Sequence, residues 1–234
     1  MRCRNRYAAG LRRIVAATLT LTALGGPLAT RLAAGDERRI DARTLVTRWY
    51  VHGIPYADAK ALGPRAVPEL ASMLKDPALA EHWTKIVWVL GCIGHSSATA
   101  PLVDFLKRQQ GEVSADVFRA TLAVLPALGH LARRGDPVAL RTLTSYARPD
   151  ASKDLKLGFS YRRYSGAALA EVLGRTAIQG LGISGTPATL AILEAMNRSE
   201  LRVDWQDNVK EAMALNLRVR QMGPAGAFAQ EEKP

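Results

Sequence analysis

Four times along the chain an apolar residue and a glycine are followed by a short link and a proline that opens a new apolar-periodic run. The segments are LGPRAVPELASML (62–74), IGHSSATAPLVDFL (93–106), LGHLARRGDPVALRTL (128–143) and LGISGTPATLAIL (181–193). Their glycines are Gly63, Gly94, Gly129 and Gly182, and their prolines Pro68, Pro101, Pro137 and Pro187. Glycine reaches the left-handed conformation that ends a helix without a Cβ clash. Proline in a first helical turn lacks only an N–H that would have no partner there. The pattern predicts helix hairpins, each with its glycine just past a helix end. Asp136 and Thr186 stand directly before their prolines as N-caps.

The partner helices lie upstream of each glycine. Residues 78–93 place Ile86, Val89, Leu90 and Ile93 on one stripe, and Ser114 is set to cap a helix carrying Val117, Leu122, Leu125 and Leu128. Pro126 is expected to kink the last turn of that helix. Residues 166–181 repeat the design, and a last helix over 203–223 ends at Gly223-Pro224. No alternating apolar run predicts a sheet. Aromatics make up only 6% of the residues, so the core must be built from Leu, Ala, Val and Ile. Helices of 10–15 residues are marginal alone in water, so stacking the hairpins is what folds them.

These glycine–proline hairpins, with the LGCIG helix end at 90–94, resemble HEAT repeats, and the bacterial HEAT-like repeats of the phycobilin-lyase group most of all. The resemblance covers residues 40–222. It implies an all-α fold, a right-handed α-solenoid of stacked helical hairpins of HEAT/armadillo type. It also implies that the second helices line a concave face and that the activity is protein–protein contact. The spacing departs from the family: successive glycines lie 31, 35 and 53 residues apart, so the last interval holds an insertion.

The formal net charge of +11 first suggests a nucleic-acid partner. Arg2, Arg4, Arg6, Arg12, Arg13 and Arg31, however, all fall within residues 1–34, which contain no acid, and the remainder carries +5. An arginine-rich start, an apolar run over 14–24 and the Gly25-Gly26-Pro27 break form the three-part pattern of a secretory signal, with cleavage after Ala29 or Ala34. The competing reading is an uncleaved N-terminal anchor. The expected organisation is a leader over 1–34, a HEAT-like domain over 35–222 with an inserted loop at 148–165, and a disordered tail over 223–234. Cys3 leaves with a cleaved leader, so Cys92 can form no intramolecular disulfide.

Candidate sites are few. Cys92 and His95 stand in C-x-x-H spacing, but zinc needs about four ligands, or three and a water, and no further cysteine exists. Cys92 reads as a small residue facing a neighbouring helix, and His95 and His130 as histidines at helix C-termini. In the insertion, Arg148, Lys153, Lys156, Arg162 and Arg163 alternate with Phe159, Tyr161 and Tyr164. Tyrosine and arginine are common interface anchors, so these eight residues form the candidate partner-binding loop. The competing reading is a solvated linker with its aromatics tucked inward. Trp49, Trp83, Trp88 and Trp205 read as core or groove wall, and Asp204 and Asp207 as helix-start acids.

No catalytic or phosphate-cradling motif is present, so no catalytic residue, metal or cofactor is assigned. The expectation is an exported, non-enzymatic scaffold in the bacterial periplasm or envelope that engages a protein partner, an acidic one suiting the loop. Nucleic acid is not expected, the membrane is a partner only if the leader stays uncut, and nothing argues strongly for a homo-oligomer. The alternatives are a lyase- or chaperone-like subunit of the phycobilin-lyase type and a nucleic-acid-binding HEAT-like protein.

Overall fold

A computed structural model describes residues 41–51, 53–151, 155 and 157–229, which all lie in the second of the two units into which the chain divides, Arg38–Pro234. The leader, Lys153, Lys156 and residues 230–234 lie outside the described residues. Within them the protein is all-α apart from one pair of two-residue strands.

Asp41 begins α1 (Ala42–Thr47) by accepting the Thr44 N–H at 2.7 Å. Helix α2 (Tyr56–Ala61) ends at Gly63, whose φ of +66° turns the chain into a 3₁₀ turn and α3 (Val67–Met73). Helix α4 (Trp83–Ile93) closes on left-handed Gly94, and α5 (Thr99–Lys107) follows. Ser114 caps α6 (Ala115–Arg133) as predicted, and Asp136 caps α7 (Pro137–Tyr146) by accepting two backbone N–H groups at 2.9 Å. Helix α8 (Gly166–Ser184) ends on left-handed Gly185. Thr186 caps α9 (Pro187–Asn197), and α10 runs from Val203 to Ala229.

The long helices α4, α6, α8 and α10 pack side by side in chain order, while α5, α7 and α9 fold back onto them. Glycines set the spacing. A Cβ on Gly91 would lie 2.8 Å from the Cα of Ala127, one on Gly182 would lie 2.8 Å from the Ala212 carbonyl, and one on Gly129 would fall onto the Gly180 carbonyl. Gly129 and Gly182, expected past helix ends, therefore lie inside α6 and α8. The left-handed turns come later, at Gly135 (φ +85°) and Gly185 (φ +59°). Pro126, where a kink was expected, lies inside α6, and Leu125, Leu128 and Leu131 around it are fully buried. Each such side chain contributes about 1.5–3 kcal/mol, enough to offset the proline's missing hydrogen bond.

Two further expectations are corrected. The segment after Gly223 does not leave the fold as a disordered tail over its first residues. Gly223 (φ +73°, ψ 169°) and Pro224 kink α10, helix resumes to Ala229, and Ala227 is completely buried. A sheet also forms where none was predicted: β1 (Gly111–Glu112) pairs in parallel with β2 (Phe159–Ser160), tied by Gly111 N–H to the Gly158 carbonyl at 2.8 Å and Val113 N–H to the Ser160 carbonyl at 2.9 Å. Two-residue strands carry no periodic signal. Among the described residues no helix is long and apolar enough to cross a membrane.

Candidate functional site

The insertion docks through its aromatics and presents its arginines. Phe159 is buried in β2. Tyr161 and Tyr164 exchange backbone hydrogen bonds at 2.9 Å, and both rings stack on Phe118 of α6, at centroid distances of 4.5 and 5.6 Å and interplanar angles of 21° and 15°. Between the tyrosines the chain turns through Arg162, whose φ of +51° is the only positive value at a non-glycine among the described residues. Such a conformation persists only where its surroundings enforce it, and the stacked rings on either side do so here. Arg162 and Arg163 are exposed, with guanidinium groups 5.1 Å from the Tyr161 ring and 5.4 Å from the Tyr164 ring. Arg148 is exposed beside Asp150 at 3.2 Å.

A second constellation went unnoticed in the sequence. A cavity of about 240 Å³ lies between α2, the end of α4, the end of α6 and the kink of α10. Tyr56, Lys60, Cys92, His130, Arg133 and Arg134 line it, and Met222–Ala225 line the side formed by the kink. His130 lies in the last turn of α6, as expected, but is only 3% exposed, its ring 5.9 Å from that of Tyr56 and 5.5 Å from that of Trp88. Among the described residues neither ring nitrogen has a hydrogen-bond partner. Burial, reinforced by the Arg133 charge, pulls its pKa down to about 4, so the imidazole is neutral at pH 7.

The remaining groups divide into inert and cationic. Burial pushes the Cys92 thiol and the Tyr56 phenol upward, so neither is an activated nucleophile. Arg133 reaches across to the Ser184 and Val219 carbonyls at 3.4 Å. Lys60 and Arg134 are exposed, and among the described residues neither forms an ion pair and no carboxylate lines the cavity. His95 does not join Cys92. Its Nδ1 accepts the Ser97 N–H at 3.3 Å as the cap of the next turn. Among the described residues no three His, Cys, Asp or Glu side chains converge as a metal site.

The other sequence candidates take structural places. Trp83 and Trp205 are buried, Trp88 walls the His130 cluster, and Trp49 is 77% exposed. Asp204 does not act as an isolated helix-start acid. With Glu171 it forms an alternating ion-pair network with Arg175 and Arg202 that joins α8 to the start of α10. Only the spacing of His130, Arg133 and Arg134, three and four residues apart at the end of one helix, could have pointed to the cavity in advance. No protein-family model, no curated protein and no solved structure matches the chain.

Proposed function

We propose that the protein is an exported, right-handed α-solenoid of HEAT-like hairpins, a non-enzymatic scaffold in the periplasm or envelope that binds an acidic protein surface through its insertion. The succession α4, α6, α8, α10, each packed on the next with a shorter helix folded back, supports the solenoid. The leader over 1–34 is the reason for export. The observation that carries the binding role is the Phe118–Tyr161–Tyr164 stack, which holds Arg162 and Arg163 outward on a fixed base. A pre-ordered arginine loses less freedom on binding than one on a free loop. The protonated Cys92 and Tyr56 support a role without covalent chemistry.

The test is affinity capture from the envelope fraction with the full chain, beside an Arg162→Ala/Arg163→Ala double variant. An acidic protein held by the first and lost by the second is the expected result. A partner retained by both moves the site onto the helical layer, and capture of nothing by either sinks the scaffold. N-terminal sequencing of the exported chain should begin at residue 30 or 35.

A further inference from the structure

We infer that the cavity between α2, α4, α6 and the α10 kink binds a small organic phosphate, a phosphate monoester held by Lys60, Arg133 and Arg134 with its short organic stem against Met222 and Pro224. This goes beyond the scaffold reading and does not depend on it.

The charge pattern argues for an anion. Arg119, Arg175 and Arg202 show how this chain neutralises a cation where it does so, Arg119 with Asp116 and the other two with Glu171 and Asp204. Lys60, Arg133 and Arg134 all line this cavity, and among the described residues no carboxylate lines it with them. Like charges brought together repel, and a cluster of cations that no described carboxylate neutralises is suited to a ligand that does.

The second observation is independent of the charge. His130 is 3% exposed, lines the cavity, and leaves both ring nitrogens without partners. A buried polar atom left unpaired is costly, so such atoms mark places where a partner belongs. A neutral imidazole offers one N–H to a phosphate oxygen. Tyr56, half-buried at the same wall, offers a hydroxyl.

The size and lining decide the class of anion. A volume of about 240 Å³ far exceeds the ~10–15 Å³ that a single water needs. The Arg134 fork and the Lys60 ammonium, with the Arg133 charge beside them, suit the tetrahedral, doubly charged phosphoryl group better than a planar carboxylate. The kink supplies the apolar side. At φ +73° and ψ 169°, Gly223 occupies a region open essentially to glycine alone, and it brings Met222, Pro224 and Ala225 to the cavity.

The experiment is calorimetric titration of the full chain with phenyl phosphate, inorganic phosphate and phenol. Phenyl phosphate is expected to bind saturably below about 1 mM, inorganic phosphate more weakly, and phenol not at all. Lys60→Gln and Arg134→Gln change exposed side chains and should each weaken phenyl phosphate about tenfold, with unchanged far-UV circular dichroism. Arg162→Gln, in the insertion, should leave it unaffected. The imidazole ¹⁵N resonances of His130 should move with phenyl phosphate and stay fixed with phenol. No saturable heat from either phosphate overturns the site. Equal weakening by Arg162→Gln shows nonspecific charge attraction and overturns it as well. Binding of inorganic phosphate as tight as phenyl phosphate overturns the monoester assignment.

Discussion

The Cβ that Gly129 lacks would fall on the carbonyl oxygen of Gly180, so α6 and α8 meet backbone to backbone. The contact is reciprocal, because a Cβ on Gly180 would lie 2.6 Å from the Leu125 carbonyl oxygen. Gly129→Ala should therefore cost toward the top of the ~1–3 kcal/mol range for overpacking, since backbone atoms cannot swing aside. Gly63→Ala has open space around it and only the strain of its φ of +66°, about 1–2 kcal/mol. Urea unfolding of both variants checks the order. A Gly63 variant less stable than the Gly129 variant would contradict the close approach.

Phe118 holds the insertion from beneath, as the ring on which Tyr161 and Tyr164 both stack. Phe118→Ala should destabilise the protein by about 3–5 kcal/mol and expose the Arg162–Arg163 peptide bond to trypsin. Faster cleavage at that bond, mapped by mass spectrometry, is the expected readout. Unchanged cleavage would mean that the backbone pairing alone fixes the turn.

His130 makes stability depend on acid. Its pKa is about 4 in the fold, and that of an exposed imidazole is about 6.5, so between these values the unfolded chain binds the extra proton. Stability at neutral pH is thus unaffected by this group, falls as pH drops below about 6.5, and levels off below about 4. The whole loss amounts to roughly 3 kcal/mol. His130→Phe keeps an aromatic ring between Tyr56 and Trp88 and should flatten that part of the profile. Denaturation midpoints measured from pH 7 to pH 4 on both proteins test it.

Asn216 is completely buried on α10. Its side-chain amide donates to the Leu181 carbonyl at 3.2 Å and the Thr189 hydroxyl at 2.9 Å, joining α8, α9 and α10. Asn216→Ala removes both bonds and should cost about 1–3 kcal/mol. A double cycle with Thr189→Val, read by thermal unfolding, should show coupling. Strict additivity would argue against the shared bond.

The sequence carried the punctuation of this fold more faithfully than its contacts. Ser114, Asp136 and Thr186 cap the helices they were expected to cap, because capping depends on a side chain and the next two or three N–H groups. Gly63 and Gly94 take positive φ as predicted, whereas Gly129 and Gly182 do not. One residue type serves two purposes, left-handed backbone and close helix approach, and only the neighbouring helix distinguishes them. The same reason hid the cavity. Lys60 and Met222 are far apart in sequence, and a histidine in the last turn of α6 gives no sign by itself that its ring is buried. In the insertion the alternation of arginine and aromatic residues was legible, but its division into anchor and display required Phe118, a residue outside the loop.

The short ladder between β1 and β2 fastens the chain just before α6 to the chain just before α8, so both ends of the α6–α7 hairpin are tied at one knot. Such a knot shortens the effective loop that the intervening helices must close. The hairpin cannot then peel away from α8 while the clasp holds. Under partial denaturation, α6, α7 and the insertion should open as one cooperative unit and lose amide protection together.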